Sequence, residues 1–188
     1  MVSKAGQSHN TEDKQLVVDA QGGDADAFGI LYARHMDAIY RYIFFRVHDQ
    51  LVAEDLTEEA FVRAWEYLPN YKVTEHPVTS WLYRIAHNLV VDHVRRQHPV
   101  ATSAIDVLSQ QAAEHEPELA VEISEAHADL INAMHILSEV EQEVIILRFV
   151  EGLSHREVAE ITGKTEGSSR VIQYQALAKL QEHLSKRL

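Results

Sequence analysis

Cysteine is absent from the sequence, so neither disulfides nor thiolate metal ligands can hold the fold together. Glycine and proline are scarce, with seven and four in 188 residues, which leaves few of the tight turns that hairpins need. No segment alternates apolar and polar side chains for long. No run approaches the roughly 18 apolar residues of a membrane span, and the start, MVSKAGQSHNTEDKQ, has no apolar stretch of signal-peptide type. What remains is 46% hydrophobic, enough for one core or two small ones. These absences lead to the expectation of a soluble, intracellular, mostly helical protein.

Positive charge is also in short supply. The formal net charge is −12, from 29 acids against 17 Lys and Arg, and a phosphate backbone should repel such a chain. Yet WLYRIAHNLVVDHVRRQ, residues 81–97, puts Trp81, Arg84 and Asn88 on one helical face and continues it with Arg95, beside Arg96. Aromatic, amide and guanidinium groups on one surface suit single-stranded DNA, because every base offers a stacking face. A buried tryptophan with arginines at the negative pole of a helix would produce the same pattern.

The distribution of acid narrows the contradiction. Residues 25–98 hold ten acids and eight bases, and residues 129–188 hold nine and seven. Between them, PVATSAIDVLSQQAAEHEPELAVEISEAHA, residues 99–128, holds six acids and no base. Pro99 and Pro117 punctuate it, and Ala, Ser and Gln fill its first half, which marks a self-repelling linker. The chain reads as two near-neutral helical lobes on an acidic tether.

The C-terminal lobe is the more legible. Ser138 and Glu141 form a capping box ahead of Val140, Val144 and Leu147, and Gly152 suits a left-handed stop. Ser154 and Glu157 repeat the device before Val158, Ala159 and Ile161. Gly163 ends that short helix, and Thr165 caps a long one running through Ile172, Leu177, Leu180 and Leu184. A short helix, a tight turn and a long helix make a helix-turn-helix. Its second helix would offer Glu166, Ser168, Ser169, Arg170 and Gln173 to a major groove. A plain helical hairpin that binds nothing is the alternative.

In the N-terminal lobe, Phe28, Leu31, Ile39, Ile43 and Val47 repeat roughly at helical spacing. In AEDLTEEAFVRAWEYL, Leu56, Ala60 and Ala64 share a stripe with Phe61 and Trp65 beside it. Asp55, Glu58 and Glu59 read as the acidic start of that helix, complementing its dipole. PNYKVTEHPVTS breaks the pattern as a loop.

The order of these stretches resembles the RNA polymerase sigma factors, specifically the two-domain extracytoplasmic-function group of the sigma-70 family. The resemblance implies an all-α protein of two small helical domains, a region 2 bundle and a region 4 helix-turn-helix, joined by a flexible acidic linker. Residues 1–24 would be a tail and the start of the first helix, 25–98 region 2, 99–128 the linker and 129–188 region 4. AEDLTEEAFVRAW is similar to the core-polymerase-binding signature, which implies that role for Asp55, Leu56, Thr57, Glu59, Phe61 and Trp65. SWLYRIAHNLVVDHVRRQ is similar to the segment that melts and reads the minus-ten element. With the preceding loop it implies Asn70, Tyr71, Lys72, Trp81, Arg84, Asn88, Arg95 and Arg96. The C-terminal match implies minus-thirty-five contacts from Arg156, Lys164, Thr165, Glu166, Ser168, Ser169, Arg170, Gln173 and Tyr174. Departures from the family pattern are Glu58 for a usual glutamine, Lys164 for an apolar turn residue, Ser169 for an apolar residue and Gln175 for a frequent arginine.

The partners implied are core RNA polymerase, promoter DNA and an anti-sigma factor, in the cytoplasm, with no membrane insertion, no cofactor and no catalysis. In this family the linker runs through the polymerase's active-site cleft and RNA-exit path, where acid suits a channel built for phosphates. Two other classes compete. A dimeric helix-turn-helix regulator independent of polymerase would have no use for the aromatic-basic helix. A helical metalloenzyme is suggested by twelve histidines, but they are scattered from His9 to His183 without HExxH-like spacing and read as surface residues with no metal ligand among them.

Overall fold

The computed structural model describes residues 4–97, 134 and 136–185, and among these the regular structure is helical. The chain divides into an N-terminal and a C-terminal compact unit. The acidic linker, with Asp106, Glu114, Glu116 and Glu118, lies outside the described residues.

The N-terminal unit begins with α1, Lys4–Gln21. Only the start of a helix was expected before residue 25, because this stretch is polar and its apolar contribution is small. Val17 and Ala20 are nevertheless buried against Ala27, Leu31, Leu68 and Val78, with Leu16, Phe28, Tyr71 and Trp81 packed around them. The helix stops at Gly22 and Gly23, the latter at φ 102, a left-handed value that glycine adopts without steric cost. Asp24 then caps α2, Ala25–Val47, its carboxylate accepting from the backbone N–H groups of Asp26 at 3.0 Å and Ala27 at 3.2 Å. The buried stripe of α2 is Ala27, Leu31, His35, Ile39, Tyr42 and Ile43, so a histidine fills the gap in the expected apolar repeat.

Helix α3, Gln50–Tyr67, corrects the position assigned to the acids. Asp49 is its N-cap, accepting from the Val52 N–H at 3.0 Å, and Gln50 bonds Glu54 within the first turns. Asp55, Glu58 and Glu59 therefore sit past the first turn, beyond reach of the N-terminal partial charge. The stripe itself is as expected: Ala53, Leu56, Ala60 and Ala64 are buried, and the alanines let α2 and α3 approach closely. A 3₁₀ turn at Leu68–Asn70, with Pro69 in it, leads through a loop to α4, Val78–Gln97. Helix α4 buries Val78, Leu82, Tyr83, Ala86, Leu89 and Val90, with Tyr83 edge-on to Tyr42 at 5.5 Å.

In the C-terminal unit both capping boxes form. Ser138 opens α5, Glu139–Ile145, which continues as a π-helical turn, Ile146–Val150. Gly152 is left-handed at φ 69. Ser154 opens α6, His155–Thr162, and Gly163 closes it at φ 68, donating its N–H to the Ala159 carbonyl. Helix α7 follows, Glu166–Ser185. Its phase differs from the expected leucine stripe. The inward line is Ser169, Ile172, Ala176 and Leu180, whereas Leu177 and Leu184 are 40% and 47% exposed. Residues at 169, 172, 176 and 180 keep the 3.6-residue period, and Leu177 falls about 100° away from Ala176.

Candidate polymerase and nucleic-acid interfaces

The outward face of α3 carries Leu51, Asp55, Glu58, Val62 and Trp65 on one stripe, all exposed. Trp65 is 44% exposed and packs edge-on against Phe28 at 5.0 Å. Glu59 accepts from Arg63 at 2.6 Å at the margin of this stripe. Leu56, Thr57 and Phe61, assigned to polymerase contact by resemblance, lie inside the core at 6%, 4% and 4% exposure. Thr57 donates its hydroxyl to the Ala53 carbonyl at 2.6 Å, and Phe61 meets Tyr32 edge-on at 4.8 Å. They shape the stripe from beneath and do not surface in it.

The loop before α4 is anchored by α1. Gln21 donates its side-chain amide to the Tyr71 carbonyl at 2.7 Å and to the Leu68 carbonyl at 2.8 Å, which also accepts from the Tyr71 N–H. The Tyr71 ring then lies on Trp81, centroids 4.2 Å apart and planes inclined by 30°, and burial pushes its phenol pKa up. Both rings pack against the α1–α2 core. Trp81 is thus a half-buried platform seated on the core. Asn70 and Lys72 flank it, exposed, and Arg84, Asn88, Arg95 and Arg96 are exposed along α4.

Nothing in the sequence pattern announced the charge cluster that docks α1. Asp13, 3% exposed, bonds Arg34 at 2.6 Å through Oδ1 and His35 at 2.9 Å through Oδ2, and Glu12 stands 3.4 Å from Arg34. Burial raises the Asp13 pKa, but the bonds and charges of His35 and Arg34 outweigh it and hold the carboxyl below its usual range. The one available signal was a histidine in phase with the apolar stripe of α2.

In the helix-turn-helix, Arg156, Lys164, Thr165, Glu166, Ser168, Arg170 and Tyr174 are exposed. Thr165 caps α7 by accepting from the Ser168 N–H at 3.1 Å, and Arg170 bonds Glu166 one turn back at 3.0 Å. Two expected readers face inward instead. Ser169 is fully buried with its hydroxyl 3.0 Å from His155 Nδ1, and half-buried Gln173 accepts from Arg148 Nε at 3.0 Å. Arg148 also donates to the Leu153 carbonyl. Burial lowers the His155 pKa, the charges of Arg148 and Arg170 lower it further, and Glu166 opposes them. Lys179 reaches Glu141 at 2.8 Å. Burial raises that carboxyl, while bonds from Lys179 and Ser138 bring it below its ordinary pKa.

Comparison with known proteins accounts for both units. Residues 31–99 match the family Sigma-70 region 2 and residues 127–180 match Sigma-70, region 4. The sigma factor BldN of Streptomyces coelicolor is 38% identical over 177 residues, 94% of this chain and 67% of its own. RNA polymerase sigma-H factor of Pseudomonas aeruginosa is 31% identical over 171 residues, 85% of this chain and 86% of its own. Among solved structures, CnrH in complex with the cytosolic domain of CnrY shares the fold, with a TM-score of 0.70 at 24% identity over 93% of this chain and 98% of that one. The sigma factor RpoE in complex with the anti-sigma factor NepR from Bartonella quintana shares it with a TM-score of 0.65 at 22% identity, over 84% and 96%. No helix among the described residues is long and apolar enough to cross a membrane. With two family modules in order and close relatives over nearly its whole length, this chain belongs to the extracytoplasmic-function group of the sigma-70 family, the promoter-recognising initiation factors of RNA polymerase.

Proposed function

We propose that the residues doing this work are the exposed members of three surfaces: the α3 stripe for core polymerase, the α4 face with its loop for the minus-ten element, and the first turns of α7 for the minus-thirty-five element. The corresponding modules are residues 25–98 with α1 added, and 129–188, joined by the 99–128 linker. The observation that carries the reading is the α3 stripe. A half-exposed tryptophan seated on Phe28 among Leu51, Val62, Asp55 and Glu58 combines an aromatic anchor with flanking charge, as protein interfaces do. Exposed Arg84, Asn88, Arg95 and Arg96 supply charge and amide along α4. Phosphate contacts by the arginines would position DNA, and Asn70, Lys72 and Asn88 would read unstacked bases. On α7, Ser168, Arg170 and Tyr174 face outward beside Lys164, Thr165 and Glu166, with Arg156 on α6.

The protein acts by binding, in the cytoplasm where polymerase is, and the catalysis belongs to polymerase. The complex of RpoE with the anti-sigma factor NepR supports a similar partner for this chain. The experiment is co-elution with core polymerase. Trp65→Ala combined with Asp55→Lys should abolish it while the helical content stays at its wild-type level. A double variant that still co-elutes and initiates from the same promoter removes the stripe from the interface.

A further inference from the structure

Helix α7 carries apolar side chains on two faces. Ile172, Ala176 and Leu180 point inward, while Val171, Tyr174 and Leu177 are 56%, 76% and 40% exposed. Apolar burial alone is a weak guide to which of these faces should turn to the core, because a roll of the helix would exchange one set for the other. The polar groups are more selective. Ser169 is the polar member of the inward line, fully buried, and its hydroxyl meets His155 Nδ1 at the start of α6. One turn along, Gln173 meets Arg148 of the π-helical turn, itself held by the Leu153 carbonyl. A buried hydroxyl without a partner is costly, and a hydrogen bond tolerates only a few tenths of an ångström before it weakens.

We propose that Ser169 and Gln173 are positioning residues of the minus-thirty-five reader: their bonds to His155 and Arg148 select the outward face of α7 and so set base preference without touching DNA. The inference rests on the reading of α7 as that reader. Side-chain tips stand about 5–6 Å from a helix axis, so a roll of roughly 20° displaces them by about 2 Å. Base-edge recognition requires placement within about 0.5 Å. Phosphate contacts, made by long flexible side chains, carry no sequence information and survive such a shift better. Losing the pins therefore blurs preference more than it weakens binding.

The test is transcription by core polymerase with the full-length chain on a promoter library randomised in the minus-thirty-five region, sequencing the transcripts to obtain base preference and total yield together. His155→Ala should reduce discrimination at the preferred bases about tenfold, with total yield changed less than threefold and co-elution with core polymerase intact. His155→Asn, whose amide oxygen takes the place of Nδ1, should keep the wild-type preference, whereas His155→Gln, which reproduces the Nε2 position, should behave like alanine. The Asn and Gln variants give the answer even if the alanine variant folds poorly. Identical wild-type preference in the His155→Ala and His155→Gln proteins overturns the proposal and leaves the pair as packing. A wild-type chain indifferent to the randomised region overturns the reading of α7 itself, and that outcome shows without any variant.

Discussion

Replacing Asp13 by alanine tests the physical account of the N-terminal unit most directly. Its carboxylate is 3% exposed and bonds both Arg34 and His35 of α2. A hydrogen bond to a charged group contributes about 1.5–3 kcal/mol, and breaking a buried ion pair costs about 3–5 kcal/mol because the surviving partner is stranded. Here one feature lowers the cost: the Arg34 side chain, 29% exposed, keeps water and Glu12 at 3.4 Å. The loss should be about 2–3 kcal/mol, roughly 30- to 150-fold in the folding equilibrium. Trp65 and Trp81 both lie in this unit, so tryptophan fluorescence in a urea titration of the full chain reports it without mixing in the other. At a slope of about 1.5 kcal/mol per molar, the midpoint falls by about 1.3–2 M. The pH dependence carries a sign. Against the raising effect of burial, the bonds and charges of His35 and Arg34 hold the folded carboxyl below its ordinary value of 3.8, so its stabilisation is complete above that pH and disappears as pH falls through the lower folded value. The gap between wild type and variant should close in that acid range. An unchanged midpoint at pH 7, or a gap constant down to pH 2, would refute the reasoning.

Other perturbations separate the surfaces from their supports. Leu56→Arg forces a charge into a site 6% exposed and should cost more than about 3 kcal/mol, seen as loss of cooperative fluorescence unfolding and not as a clean loss of polymerase binding. Gln21→Ala removes two partly solvated bonds to the loop, for about 1 kcal/mol in total. Faster amide exchange over residues 70–76 and a broader minus-ten preference are the expected readouts. His155, its pKa lowered below 6.5 by burial and by Arg148 and Arg170 against Glu166, favours the neutral form when folded. The C-terminal unit should lose stability as pH falls from 7 through that value, and His155→Asn should flatten the slope of α7 amide protection. For the linker, replacing Asp106, Glu114, Glu116 and Glu118 with their amides should leave promoter binding nearly unchanged and alter the ratio of abortive to full-length RNA. An unaltered ratio makes the linker a spacer.

Much of the fold was legible because its signals are local. A capping box needs only Ser138 with Glu141, or Ser154 with Glu157, and the left-handed stops at Gly152 and Gly163 follow from the missing Cβ. The Leu56, Ala60 and Ala64 stripe is likewise a matter of period. Phase on α7 was not legible, since leucines occupy two faces and the choice between them falls to partners on α6 and the π turn. Family resemblance found the segments that carry the candidate surfaces but did not divide each segment into outward and inward members. Leu56, Thr57, Phe61 and Ser169 proved to be buried, and Trp81 half-buried.

The sequence by itself determined the helical class, the helix ends of the C-terminal unit, the acidic composition of residues 99–128 and the family, since each depends on residues near one another in the chain or on motif order. Only the tertiary structure decided that α1 belongs to the N-terminal core, that Asp13 pairs with His35 across 22 residues, and that Gln21 holds the loop around Tyr71. These are long-range contacts between polar groups, whose partners no periodicity encodes. At Asp13 burial adds strength: in water the same pair would be nearly indifferent, and the core around it makes the bond necessary.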